Sequence, residues 1–256
     1  MITTAKIYKS YNTKTVLAGV DLMCQEGKIQ VLMGANGAGK TTLIHILSGL
    51  IEQDSGRCFI DNKEITIDNY KYRSKVGYIF ETAMYIQKFS AREYLEFLGK
   101  MYKLPKSELL ERIRELLEFF ELPFDNKLLI ESYSKGMKSR VSLAAALIHD
   151  PNYLILDEPF DGIDFLLVQK IGKLFKSMAR RGVTILIASH QFDVISQMCD
   201  RFALLKDGKI LFNVEFQKMK EMSVEYNGDM YPVKRYMGKL MREDNSKEEL
   251  NYLSKK

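Results

Sequence analysis

Cysteine, histidine and net charge are all scarce in this chain of 256 residues. Its three cysteines, Cys24, Cys58 and Cys199, show no C-x-x-C spacing, and their odd number argues against a disulfide framework. Neither a zinc site nor a secreted scaffold is expected, and a reducing compartment is the default. No apolar run approaches the ~18 residues of a membrane-spanning helix, so the chain is not expected to cross a membrane by itself. A basic segment followed by an apolar one is missing at the N-terminus, so no secretory signal is expected. The formal net charge of +5, from 38 basic and 33 acidic residues, is too small and too evenly spread to point to nucleic acid. It is compatible with a mild attraction to an anionic membrane surface. A hydrophobic content of 46% with 28% charged residues describes a globular protein able to bury a sizeable core, in one large domain or two small ones.

What the sequence does carry is concentrated at residues 34–42, Gly-Ala-Asn-Gly-Ala-Gly-Lys-Thr-Thr, directly after the apolar run Ile29-Gln30-Val31-Leu32-Met33. Gly34, Gly39, Lys40 and Thr41 occupy the fixed positions of the G-x-x-x-x-G-K-[ST] phosphate-binding pattern. A triphosphate needs many short-range donors, and glycines let the backbone curl close enough for successive N–H groups to form a nest ending on a helix N-terminus. Lys40 then places a point charge on the outer phosphates, and the Thr41 hydroxyl takes one coordination position on Mg²⁺. Asn36, Gly37, Ala38 and Thr42 complete the cradle. The strand before it and the helix after it, with Leu43, Ile44, Ile46, Leu47 and Leu50, are the context the pattern requires.

Along the chain, residues 3–11 and 16–24 alternate like half-buried strands around the polar turn Asn12-Thr13-Lys14. Tyr11 could fold over a purine or cap a sheet edge. Residues 57–61 and 64–67 flank Asn62-Lys63 as a hairpin. Residues 76–80 form a short apolar strand ending on Glu81, either a ligand-facing carboxylate at a strand end or a solvated one. Residues 82–89 have no regular period and read as packed core or as a docking surface. Ser90 and Glu93 form a capping box ahead of a helix with Tyr94, Leu95, Leu98, Met101 and Tyr102 on one face. Ser107 caps a second helix with an apolar stripe of Leu109, Leu110, Ile113, Leu116, Leu117 and Phe120. These two read as a helical subdomain inserted into an α/β core.

A loop at residues 133–140 feeds a helix over 141–148, with Ser134 as its cap and Gly136 permitting close approach to an anion; capping alone is the simpler account. The buried run Tyr153-Leu154-Ile155-Leu156 ends on Asp157 and Glu158, paired acids suited to ordering Mg²⁺ and polarising an attacking water. Residues 183–188 deliver Ser189 and His190 to a strand end, where His190 could touch a γ-phosphate; His45 and His149 read as structural. A hairpin turns at Lys206-Asp207-Gly208-Lys209, and residues 217–256 read as a polar appendage.

The order of these motifs resembles the nucleotide-binding subunit of ABC transporters, over roughly residues 2–213. The resemblance implies an α/β P-loop NTPase core with an antiparallel β subdomain and an inserted α-helical subdomain at about 85–150, within an ATPase domain of residues 1–216. It implies Tyr11 as the adenine-stacking aromatic and residues 34–42 as the Walker A loop. Asp157 then stands as the Walker B acid, Glu158 as the catalytic glutamate, Asp164 as the D-loop aspartate and His190 as the switch histidine. Two positions depart from the family pattern. The signature loop, usually Leu-Ser-Gly-Gly-Gln, is Tyr133-Ser134-Lys135-Gly136-Met137, and Glu81 stands where glutamine is usual. Both variants resemble bacterial exporters with a separate ABC-2-type membrane subunit. The resemblance implies ATP and Mg²⁺ as cofactors and two ATP molecules sandwiched between two copies or homologous subunits. Ser134 and Gly136 then face the partner's nucleotide, and a membrane permease is driven from the cytoplasmic face. A soluble ABC-type ATPase acting on nucleic acid is disfavoured by the single phosphate loop and the lack of a heptad run or cysteine pair. A P-loop kinase or GTPase would have no use for the Ser134 loop.

Overall fold

The computed structural model describes residues 1–69, 71–82, 85–124 and 128–218; Met84 and the appendage beyond residue 218 lie outside them. Two sheets organise the described residues. The larger has the order β10-β9-β3-β8-β7-β6, built from β3 (Ile29–Met33), β6 (Val76–Ile79), β7 (Tyr153–Asp157), β8 (Thr184–Ser189), β9 (Arg201–Lys206) and β10 (Lys209–Glu215). Its strands run parallel except for the β9–β10 hairpin. Every residue of β3, β7 and β8 is buried, which is why they read as continuous apolar runs.

Their side chains alternate between two cores. Val31, Leu154, Leu156, Ile185 and Ile187 face one core, and Leu32, Ile155, Leu186 and Ala188 face the other. The second core is closed by α1 (Lys40–Leu47) and by the smaller antiparallel sheet, ordered β2-β1-β4-β5. Its strands are β1 (Ile2–Tyr11), β2 (Lys14–Cys24), β4 (Ser55–Ile60) and β5 (Lys63–Glu64). The first core is closed by α2 (Ala91–Met101), α3 (Lys106–Phe119), α4 (Lys135–Leu147) and α5 (Phe165–Arg180); α6 (Phe192–Ile195) follows β8.

Four local details differ from the sequence-based expectation. The β4–β5 hairpin turns at Asp61-Asn62, one residue early, because both adopt positive φ (52° and 60°), as a type I′ turn requires; β5 is only two residues long. Helix α3 starts at Lys106 behind Pro105, whose carbonyl accepts from the Glu108 and Leu109 amides, so Ser107 lies inside the first turn and caps nothing. Leu110, placed on its apolar stripe, is 44% exposed, and Met101 at the end of α2 is 63% exposed beyond that helix's buried residues. Helix α4 begins at Lys135, ahead of the expected start at Val141, because the Ser134 hydroxyl accepts from the Met137 amide at 3.2 Å. The Ser90 capping box forms in full, with the Glu93 carboxylate accepting from the Ser90 amide at 2.8 Å and the Ser90 hydroxyl from the Glu93 amide at 3.3 Å.

His149, just past α4, stacks on Tyr102 with ring centroids 3.9 Å apart. Burial drives its pKa down to about 4, against an ordinary value of 6.5. The fold therefore binds a proton at this ring less tightly than the unfolded chain does. The stability this neutral ring supports is complete above pH ~6.5 and is lost as pH falls toward 4. His149→Gln is expected to shrink the loss of urea resistance between pH 7 and pH 5; an unchanged pH dependence would show that other groups set it.

Candidate functional site

The parallel strands deliver chemistry at their carboxyl ends, where an open α/β sheet presents ligand sites. β3 runs into residues 34–39, β6 into Phe80 and Glu81, β7 into Glu158, and β8 into His190. In register, Met33 pairs with Ser189 and Asp157 with Ala188, so the loop and the acids flank the end of β8.

A cavity of about 290 Å³ opens there. It is lined by Asn36, Gly37, Gly39, Lys40, Thr41 and Thr42 from the loop, by Glu81, Asp157 and Glu158, and by Lys14 and Val16 of β2. Gly39 caps α1 with φ 106°, and an added Cβ would lie 2.7 Å from Leu17 Cδ2 and 2.9 Å from the Val16 carbonyl oxygen, so no other residue fits without rearrangement. No acidic residue of α1 itself lies in its first turn, so its positive end faces the cavity and the carboxylates that line it. Gly34 and Ala38 shape the loop without lining the cavity: the Gly34 carbonyl accepts from Lys40 Nζ at 2.9 Å, and the Ala38 amide donates to the Ala35 carbonyl at 3.1 Å.

Lys40 is buried, with Nζ also 3.3 Å from the Ala35 carbonyl oxygen and 3.7 Å from Glu158 Oε1. Asp157 is buried, and neither of its carboxylate oxygens makes a well-formed hydrogen bond within the chain. Burial pushes its pKa up to about 6; the nearby Thr41 hydroxyl and Lys40 oppose the rise, while Glu158 and Glu81 add to it. The Thr41 hydroxyl donates to Glu81 Oε2 at 3.3 Å. An orphaned buried carboxylate beside a hydroxyl and a second acid fits a divalent cation.

Glu158 is held in an unusual conformation, φ 46°, by a ring of donors. Its amide donates to the Ala188 carbonyl at 2.9 Å, Ser189 Oγ donates to Oε2 at 2.8 Å, and the His190 amide donates to Oε1 at 3.0 Å. His190 Nδ1 lies 2.8 Å from the same oxygen. The half-exposed His190 ring thus meets Glu158 rather than lining the cavity.

The other predicted residues lie apart from the cavity. Tyr11 is 46% exposed at the end of β1, paired in register with the cavity residue Lys14. Asp164 caps α5, accepting from the Leu167 amide at 3.0 Å. Ser134 and Gly136 form the start of α4 and are absent from the cavity lining. An ideal Cβ at Gly136 would lie 2.2 Å from the Gly162 carbonyl oxygen. Gly136→Ala is therefore expected to push the turn after β7 aside, costing about 1–3 kcal/mol of stability and lowering ATPase activity; a thermal melt and a phosphate-release assay check both.

Sequence reasoning missed Lys14, Val16 and Ser189 as site residues. Lys14 sits in what reads as a polar turn, and Val16 carries no chemical signal; only the packing of β2 against the loop reveals them. Ser189 has a visible signal, a hydroxyl on the last residue of a buried strand beside His190. The loop at residues 82–89 divides between its two readings: Tyr85 and Phe89 pack against the first core, and Ile86 is 37% exposed.

A family model described as ABC transporter matches residues 17–161. The chain is 35% identical over 211 residues to the linearmycin resistance ATP-binding protein of Bacillus subtilis, covering 82% of this chain and 68% of that one. It is 32% identical over 227 residues to the bacitracin transport ATP-binding protein of Bacillus licheniformis, covering 88% and 73%. A dimeric ATP-binding cassette solved in a post-hydrolysis state with ADP and Pi superposes with a TM-score of 0.77 at 27% identity, over 84% of this chain and 99% of that one. A phosphate loop, paired strand-end acids and these likenesses converge: the chain belongs to the ABC transporter family, as one of its ATP-binding, ATP-hydrolysing subunits.

Proposed function

We propose that this subunit powers an exporter by pairing with a second copy or a homologous subunit around two ATP molecules, at the cytoplasmic face of a membrane, and moving a separate integral-membrane permease. The observation that carries the pairing is the composition of the cavity: it holds the phosphate loop and the acids, but nothing from Ser134 or Gly136. A donor-bearing helix start outside the cavity of its own chain suits the nucleotide of another. Phe165 and Leu166, 56% and 76% exposed directly after Asp164, add apolar surface on the adjoining turn for a partner to cover. Export is supported by relatives named for linearmycin resistance and bacitracin transport. Among the described residues no helix is long and apolar enough to cross a membrane, in keeping with a permease on another chain.

Within each site, Lys40 and the amides at the start of α1 hold the outer phosphates, and Tyr11, beside Lys14, receives the adenine. Thr41, Asp157 and Glu81 would hold Mg²⁺. Those three residues would leave positions on the ion for nucleotide oxygens and water. The ion would supply neutralisation of phosphate charge there. Glu158 accepts the proton of the attacking water, held in position by Ser189 and His190. Ser134 and Gly136 close over the partner's nucleotide, and Asp164 keeps the start of α5 at the subunit boundary. Residues 1–216 form the ATPase domain, with a helical subdomain at about 85–150; the appendage expected at 217–256 lies, beyond residue 218, outside the described residues. The test is mass by light scattering with hydrolysis blocked: saturating ATP is expected to double the mass of the Glu158→Gln chain, and a variant that stays monomeric contradicts the pairing.

A further inference from the structure

Helix α4 starts with the wrong charge for its position. Lys135 is its first residue, Lys138 follows within the next turn, and no acid lies in the first turn, although the N-terminal end of a helix favours negative charge. The compensating carboxylate comes from the turn after β7. Asp161 Oδ2 lies 2.5 Å from Lys135 Nζ, and the Asp161 carbonyl accepts from Ser139 Oγ at 2.7 Å. Beside them, Gly136 and Gly162 are in backbone contact with no room for a side chain. The same turn carries Glu158, whose carbonyl accepts from the Asp161 amide at 3.3 Å. Both charged side chains are well exposed, 73% and 45%, so solvent screening leaves the pair little influence on global stability. Its effect is local: it ties the segment that bears Ser134 and Gly136 to the segment that bears Glu158.

We propose that Lys135 and Asp161 are positioning residues for ATP hydrolysis, their ion pair setting the angle between the first turn of α4 and the Glu158 turn. This rests on the reading that Ser134 and Gly136 serve the partner's nucleotide while Glu158 serves its own. The ion pair is then a link inside one chain between two nucleotide sites, so that closure over one nucleotide adjusts the catalytic carboxylate at the other.

The test uses the full chain with Lys135→Glu, Asp161→Lys and the double exchange, reading kcat, KM for ATP, thermal midpoint and ATP-dependent dimerisation. Each single reversal is expected to lower kcat about fivefold, the scale of an exposed ion pair, with KM and midpoint near those of the parent. The double exchange is expected to recover kcat to within about twofold. Unchanged kcat in the singles, or a double exchange no better than the poorer single, overturns the link. A loss confined to KM in Lys135→Glu, with Asp161→Lys unaffected, also overturns it and assigns Lys135 to direct phosphate contact. Failure of the Glu158→Gln protein to dimerise with ATP contradicts the paired-subunit reading itself, whereas dimerisation in that background without recovery of kcat in the double exchange contradicts the link alone.

Discussion

Glu158→Gln is expected to lower steady-state ATP hydrolysis by about 10²–10⁴-fold, the usual contribution of a positioned general base, while ATP still binds. The geometry separates the two functions. Phosphate-binding groups are on the loop and at the start of α1, whereas the Glu158 carboxylate is oriented from the other side by Ser189 Oγ and the His190 amide. An amide in its place keeps the size and accepts one hydrogen bond, but cannot take a proton from water. With hydrolysis blocked and binding intact, the ATP-bound pair should accumulate, visible as a doubled mass in light scattering. Phosphate release at the parental rate would remove Glu158 from the base role.

Asp157→Asn is expected to act in opposite directions on stability and activity. A carboxyl whose pKa is raised by burial favours folding only while protonated; the stability it contributes is present below its unfolded value of 3.8 and is lost as pH rises through about 6. At pH 7 the nucleotide-free fold therefore carries the cost of a buried, unpaired charge, at most about 3 kcal/mol, and replacing it by a neutral amide should raise the thermal midpoint. Hydrolysis should fall at least about a hundredfold, because a bound metal would contribute several kcal/mol to the transition state and the amide would remove the charge proposed to hold it. A variant that is both less stable and fully active would contradict the assignment of Asp157 as the buried cation ligand.

Much of this architecture was legible because its burial is local. β3, β7 and β8 are covered on both faces, so Val31, Ile155 and Leu186 fall within largely apolar runs, and the polar residues ending β7 and β8, Asp157 and Ser189, mark the site edge. The Ser90 capping box was equally readable, since its partners are three residues apart. What escaped was decided by distant partners or by turn geometry. The hairpin at Asp61-Asn62 shifted by one residue because the backbone chose which pair took positive φ. Residues 135–140 read as loop because of Gly136 and their polarity, yet that glycine answers a contact with Gly162, far along the chain. Lys14 and Val16 entered the cavity only because β2 runs past the phosphate loop. Asp164 carries a capping hydrogen bond that a family pattern does not announce.

In the proposed pair each nucleotide is held by two chains, the loop of one and the α4 start of the other. This arrangement is tested most directly by placing cysteines at Asn36 and Ser134 in the Glu158→Gln protein and oxidising with and without ATP. The native Cys24 and Cys58 are buried, and Cys199 is replaced by alanine to remove background. The expected result is a covalent dimer on a non-reducing gel that forms with ATP and is lost when either new cysteine is omitted. A chain that remains monomeric, or that cross-links equally without nucleotide, would contradict it.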